Sequence, residues 1–104
     1  MKNEPITHEV IQRHLVSLPG WQLNPDGKSI QTGYSLKNFV SAVHLINQIA
    51  ELSEALNHHP DIHLTDYRKL NIVLSTHSAG GLTDLDFTLA RQIEDLPKDL
   101  KGPS

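Results

Sequence analysis

Glu54, His58, His59, Pro60, Tyr67, His77 and Asp86 stand in the order E-x3-H-H-P-x6-Y-x9-H-x8-D. Three imidazoles and two carboxylates therefore fall within 33 positions of a 104-residue chain. An unperturbed imidazole titrates at about 6.5, so it can take or give a proton near neutrality. Such a cluster points to acid–base chemistry more than to binding alone. Glu54 and His58 are four residues apart, which on a helix places them on one face, where the carboxylate can orient the imidazole. The plainer alternative is a solvated pair near a helix C-terminus, a place that also favours histidine through the dipole.

Each of the other positions has a plainer alternative too. His58 and His59 are adjacent where Pro60 should break a helix, so they can line two walls of a pocket or be two exposed polar residues. His77 follows a strand-like run and is either a site residue or a surface histidine. Asp86 falls in the first turn of a helix, where an acidic residue supports capping whatever the function. Trp21 and Tyr67 are either core or pocket wall. Core is the expectation for Tyr67 and a pocket face for Trp21, because a flat ring suits a flat heterocycle. His44 sits within a helical stripe and reads as a partly buried structural residue. A zinc site could draw on His58, His59, His63, His77, Glu54 and Asp86. However, H-H-P-x2-H lacks the H-x3-H spacing that puts two ligands on one helix face. No metal and no cofactor is expected. No P-loop, dinucleotide-binding glycine pattern or G-x-S-x-G elbow is present.

The elements that must position these residues read in the order α-β-β-α-β-β-α. A helix is predicted over Thr7–Ser17, capped by Thr7 and closed by Pro19-Gly20. Trp21–Leu23 and Ser29–Tyr34 read as strands around an Asn24-Pro25-Asp26-Gly27 turn. A long helix follows over Leu36–Asn57, capped by Ser35, with an apolar stripe of Phe39, Val40, Val43, Ile46, Ile49, Ala50 and Leu56. Asp61–Tyr67 and Lys69–Thr76 read as a hairpin, with Ile62 and Leu64 on one face of the first strand and Leu70, Ile72 and Leu74 inward on the second. Ser78–Gly81 reads as a flexible loop. The last helix is predicted over Asp84–Leu96, with Thr83 as cap, Asp86 at the third position, and Leu85, Leu89, Ile93 and Leu96 buried. Two hairpins favour an α+β fold: a four-stranded antiparallel sheet with three helices on one face, in a single domain over residues 1–104.

Nine basic against twelve acidic residues give a net charge of -3, with no basic stripe, which argues against direct nucleic-acid binding. No apolar run approaches the roughly 20 residues of a membrane span, and MKNEPITHEV lacks a signal-peptide core. Cysteine is absent, which suits a reducing compartment; the expected location is cytoplasmic.

The seven-position pattern resembles the signature of the pterin-4a-carbinolamine dehydratases. The resemblance extends to Trp21, to Ser75-Thr76-His77 and to Gly81-Leu82-Thr83, and so covers most of the chain. It implies the dehydration of 4a-hydroxytetrahydropterin to quinonoid dihydropterin and water, in support of tetrahydropterin recycling, without metal or redox cofactor. It implies His58, His59 and His77 as catalytic residues, with Glu54 tuning or orienting them. Asn57, Ser75, Thr76 and Ser78 would hold the pterin edge, Trp21 would cover one face, and Asp86 would orient a histidine or close the pocket. Asn57 departs from relatives that carry an acidic residue there, which removes a second carboxylate beside Glu54. The resemblance also implies a homodimer or homotetramer formed partly by sheet extension. A different role is implied by relatives that act as protein-interaction modules, one a dimerisation cofactor of a homeodomain transcription factor, or that handle pterins in another pathway.

Overall fold

Thr7 opens the first helix as the sequence predicts: its hydroxyl accepts the Val10 N–H at 3.4 Å, and α1 runs His8–Val16. The structure, a computed structural model, describes residues 4–102. After Pro19-Gly20, β1 (Gln22–Leu23) and β2 (Ile30–Ser35) pair antiparallel, Gln22 opposite Gln31. The turn between them closes through Gly27 N–H to the Asn24 carbonyl at 2.9 Å, with Gly27 at φ 71, a conformation that suits glycine.

The long helix α2 spans Phe39–Leu56 and is shorter at its start than predicted. Its cap is Asn38, whose side chain accepts the Ser41 N–H at 2.8 Å, not Ser35. Ser35 is held in β2 opposite Lys69, and the following Leu36 is fully buried, so the chain cannot turn into a helix there. The buried residues of α2 are Ala42, Leu45, Ile49 and Ser53. Phe39, Val40, Val43 and Ala50 of the predicted apolar stripe are exposed, as is His44, expected to be partly buried. Helix α2 is apolar around most of its circumference, so periodicity alone could not choose the inward face.

β3 (Asp61–Thr65) and β4 (Lys69–Leu74) form the second hairpin, and β4 also pairs with β2, giving the antiparallel order β1-β2-β4-β3. Both strands stop short of their predicted ends. Asp66 and Tyr67 take left-handed φ values of 48° and 51° to turn the chain. Tyr67, expected in the core, is therefore an exposed turn residue with the Arg68 guanidinium 5.4 Å from its ring centre. Leu70, Ile72 and Leu74 alternate inward as predicted. The segment expected to be a flexible loop holds a short 3-10 turn over His77–Ala79, ended by Gly80 at φ 73.

The last helix, α3 (Asp84–Asp95), starts at Thr83 as predicted, and the Asp86 carboxylate accepts the Thr83 N–H at 2.9 Å. Phe87 and Ala90 are buried beside the expected Leu89 and Ile93. The core joins Ile30, Leu70, Ile72 and Leu74 of the sheet to Ala42, Leu45 and Ile49 of α2 and to this face of α3. No helix among the described residues is long and apolar enough to cross a membrane.

At the far end of α3, the Glu94 carboxylate accepts from Trp21 Nε1 at 3.0 Å and from the Tyr34 hydroxyl. Burial, and then Glu94, push the Tyr34 phenol well above its ordinary 10.0. A folded-state pKa raised above the unfolded one gives stability that is present below pH about 10 and lost as pH rises towards the folded value. We expect the unfolding free energy of the wild type to fall above pH about 10, and that of Tyr34→Phe to fall less, in denaturant titrations at matched pH. Parallel curves for the two proteins would refute this.

Candidate active site

Strand register brings three loops to one end of the sheet. Asp61 lies opposite Val73 and Ile30 opposite Leu74, so β2 and β3 begin level with the end of β4. The 24–29 turn, the 57–60 segment and the 75–83 segment therefore converge there. Between the first and last of these, beside the start of β3, is a cavity of about 330 Å³, lined by Asp26, Lys28, Ser29, Asp61, Val73, Ser75, Thr76, His77, Gly80 and Gly81; His58 and His59 do not line it. That volume lies within the range of about 300–1,000 Å³ usual for small-molecule sites.

The end of α2 sets the two adjacent histidines apart. Asn57 is left-handed, at φ 50 and ψ 43, and the His58 N–H returns to the Ser53 carbonyl at 3.0 Å. This is the closing arrangement in which a left-handed residue satisfies the last helical carbonyls, and asparagine tolerates that conformation. Asn57 thus shapes the site through its backbone; it is exposed and does not line the cavity. Past it, His58 turns inward and becomes buried, while His59 stays exposed.

His58 Nε2 lies 2.6 Å from Asp86 Oδ1, and Asp86 is fully buried. The other Asp86 oxygen accepts the Thr76 hydroxyl at 2.8 Å and the Thr83 N–H at 2.9 Å. The Thr76 and Thr83 hydroxyls are themselves 2.8 Å apart. A fully buried carboxylate is tolerable only with such partners. Asp86 is therefore both the capping residue of α3 and the orienting partner of a histidine.

Glu54 is bonded to His59, and both are exposed. The expected Glu54–His58 pair does not form, because α2 ends at Leu56 and the left-handed Asn57 swings His58 off the helical face. His77 starts the 3-10 turn and is exposed on the cavity wall, next in sequence to Thr76. One hydrogen-bonded run thus leads from His58 through Asp86 to Thr76 in the wall, while the His59–Glu54 pair stands apart from it. Ser75 lines the cavity; Ser78 is exposed outside it. Trp21 is 3 % exposed in the core, with its indole N–H on Glu94. Glu94 lies eight residues along α3 from Asp86, about 12 Å at 1.5 Å per residue. Trp21 is thus a packing residue and presents no face to the cavity. Among the described residues, no three histidine, aspartate or glutamate side chains are grouped as a metal site.

Sequence reasoning missed Asp26, Lys28 and Asp61, and saw Thr83 only as a helix cap. The first three carry no local signal, because strand register alone brings them beside His77. Chemically, the cavity offers two carboxylates, a cation, hydroxyls and an imidazole to a flat polar heterocycle. The His58 imidazole is joined to the wall hydroxyl of Thr76 through the Asp86 carboxylate.

Residues 4–96 match the family model described as Pterin 4 alpha carbinolamine dehydratase. A protein of Rhizobium johnstonii, provisionally named pterin-4-alpha-carbinolamine dehydratase, is 42% identical over 94 residues, covering 90% of this chain and 92% of the relative. A crystal structure of a transcriptional coactivator/pterin dehydratase from Brucella melitensis superposes with a TM-score of 0.82 at 31% identity, covering 88% of this chain and 96% of that one. A pterin dehydratase-like protein described as a RuBisCO assembly factor in the alpha-carboxysome shares the fold, with a TM-score of 0.61 at 16% identity, covering 72% of this chain and 86% of that one.

Proposed function

This chain belongs to the pterin-4α-carbinolamine dehydratase family of hydro-lyases, and on that premise we propose that it dehydrates 4a-hydroxytetrahydropterin by histidine acid–base catalysis. The observation that carries the reading is the His58 imidazole backed by the buried Asp86, with the run of bonds continuing to Thr76 beside His77 on the cavity wall. In the reaction, N5 loses its proton, the C4a–O bond breaks, and the departing hydroxyl takes a proton to leave as water. The bond pair left by the N5 proton closes the new N5–C4a double bond. Both proton movements need positioned groups with pKa values near the working pH, which imidazoles supply. In this reading His58, His59 and His77 are the proton-carrying groups, and Glu54 orients His59. Ser75 and Thr76 hold the pterin edge with Asp61, a carboxylate suited to the N–H groups of a pterin amide and amine.

The direct test is to follow the decay of 4a-hydroxytetrahydropterin with purified protein. Acceleration above the uncatalysed rate is expected. A rate that does not respond to protein concentration would remove the proposal and favour a binding role for the same fold.

We also propose that the protein is a homo-oligomer. β3 is an edge strand with one side unpaired in the sheet, and Phe39, Val40 and Val43 expose apolar surface on α2. Unpaired strand edges and contiguous apolar surface both favour association. Light scattering at micromolar concentration should report at least a dimer, and Val40→Glu should shift the distribution towards smaller species. A monomeric wild type would contradict the proposal.

A further inference from the structure

The hydrogen bonds around Asp86 all run in one direction. A carboxylate only accepts, so the Thr76 hydroxyl and the Thr83 N–H donate to Oδ2, and His58 donates Nε2–H to Oδ1. Thr76 has one hydroxyl proton, and Asp86 receives it. The 2.8 Å contact between the two threonines must then be donated by Thr83. The order is Thr83 to Thr76 to Asp86, a chain in which each bond polarises the next. Every member is shielded from solvent: Thr83 is 8 % exposed, Thr76 5 %, Asp86 0 % and His58 9 %.

We propose that Thr76 and Thr83 are positioning residues that fix the tautomer of His58. With two donors on Oδ2, the carboxylate is held with Oδ1 towards His58. A neutral imidazole has one N–H, and that proton is committed to Oδ1 at Nε2. The lone pair is then always on Nδ1, ready to receive a proton. Without the threonine hydroxyls the carboxylate can rotate, and the imidazole can populate the Nδ1–H form. The consequence for rate rests on the reading of His58 as a catalytic group; the tautomer itself does not.

The test is long-range ¹H–¹⁵N NMR of histidine-labelled protein at one pH, with the His58 signals identified by their loss in His58→Gln. The wild type should show His58 as a single Nε2–H tautomer, and Thr76→Val and Thr83→Val should each show a mixture. In Thr83→Val, which does not alter the cavity wall, kcat should fall roughly ten-fold with KM changed less than about two-fold. Thr76→Ser, which keeps the hydroxyl, should restore the single tautomer. Thr83 also caps α3, so Thr76→Val carries the test if Thr83→Val folds poorly. A pure Nε2–H signal in folded Thr76→Val, or a mixed tautomer in the wild type, overturns the proposal. A mixture in Thr83→Val with unchanged kcat supports the tautomer proposal and removes the reading of His58 as a catalytic group. A fixed wild-type tautomer that shifts in Thr76→Val, in a protein without dehydratase activity, leaves this proposal standing and removes only the functional one.

Discussion

Replacing His58 by alanine is expected to slow the dehydration by about 10²–10⁴-fold, the usual contribution of a positioned acid–base group. His58 is the buried one of the three histidines and the one bonded to the fully buried carboxylate. The same burial means that this change also affects stability. His58→Ala leaves Asp86 Oδ1 without its donor, and an unsatisfied buried polar group costs about 1–3 kcal/mol. His58→Gln can still offer an N–H to Asp86, so it should recover much of the stability and little of the rate. His59→Ala and His77→Ala affect exposed side chains. Their unfolding free energies should stay within about 0.5 kcal/mol of wild type, while their rates fall. Urea titrations alongside kcat for the four variants separate the two effects. A folded His58→Ala protein with wild-type kcat would end the assignment of His58, whatever the other variants do.

The fold was largely legible because each element carries a local cause. Thr7 and Thr83 cap their helices, Pro25-Asp26-Gly27 turns the first hairpin, and Leu70, Ile72 and Leu74 alternate inward. The errors lie where local patterns are degenerate. Ser35 and Asn38 both suit a helix cap, and only the pairing of Ser35 with Lys69 selects Asn38. Apolar residues lie on both faces of α2, and only packing against the sheet selects Ala42, Leu45 and Ile49. Trp21 and Tyr67 have similar sequence credentials. One is held in the core by Glu94 and the other is expelled by a left-handed turn.

The site was legible in its residue types but not in its pairing. The pattern E-x3-H suggests Glu54 with His58, as a continuous helix would give. A single left-handed residue, Asn57, rotates the chain enough to exchange partners, so that Glu54 meets His59 and Asp86 meets His58. Twenty-eight positions separate His58 from Asp86, and no local rule links them. The cavity residues Asp61 and Lys28 were invisible for the same reason: strand register, a long-range property, sets them beside His77.

Asp86 should be the position where stability and activity fail together. Its carboxylate ties the end of α2 through His58, the segment after β4 through Thr76, and the start of α3 through Thr83. Asp86→Ala removes all three bonds at a site with no solvent access, leaving an imidazole, a hydroxyl and a backbone N–H unmet. Each buried donor left unsatisfied costs about 1–3 kcal/mol, and here there are three, so the loss is several kcal/mol. Against a typical stability of about 5–15 kcal/mol, that is enough to bring the protein near its unfolding limit. Asp86→Asn separates the effects. Its amide oxygen can still accept from Thr76 and Thr83, which places the amide NH₂ towards His58. His58 Nε2 must then accept rather than donate, so the imidazole proton moves to Nδ1 and the lone pair is lost where it is needed. Asp86→Asn should therefore keep most of the stability and still lose about 10²–10⁴-fold in rate. Trp21 is the only tryptophan and is buried, so its fluorescence reports unfolding in urea for each variant. An Asp86→Ala protein within about 1 kcal/mol of wild type would show that the network does not hold these three elements together. An Asp86→Asn protein with wild-type kcat would show that the orientation of His58 does not govern the reaction.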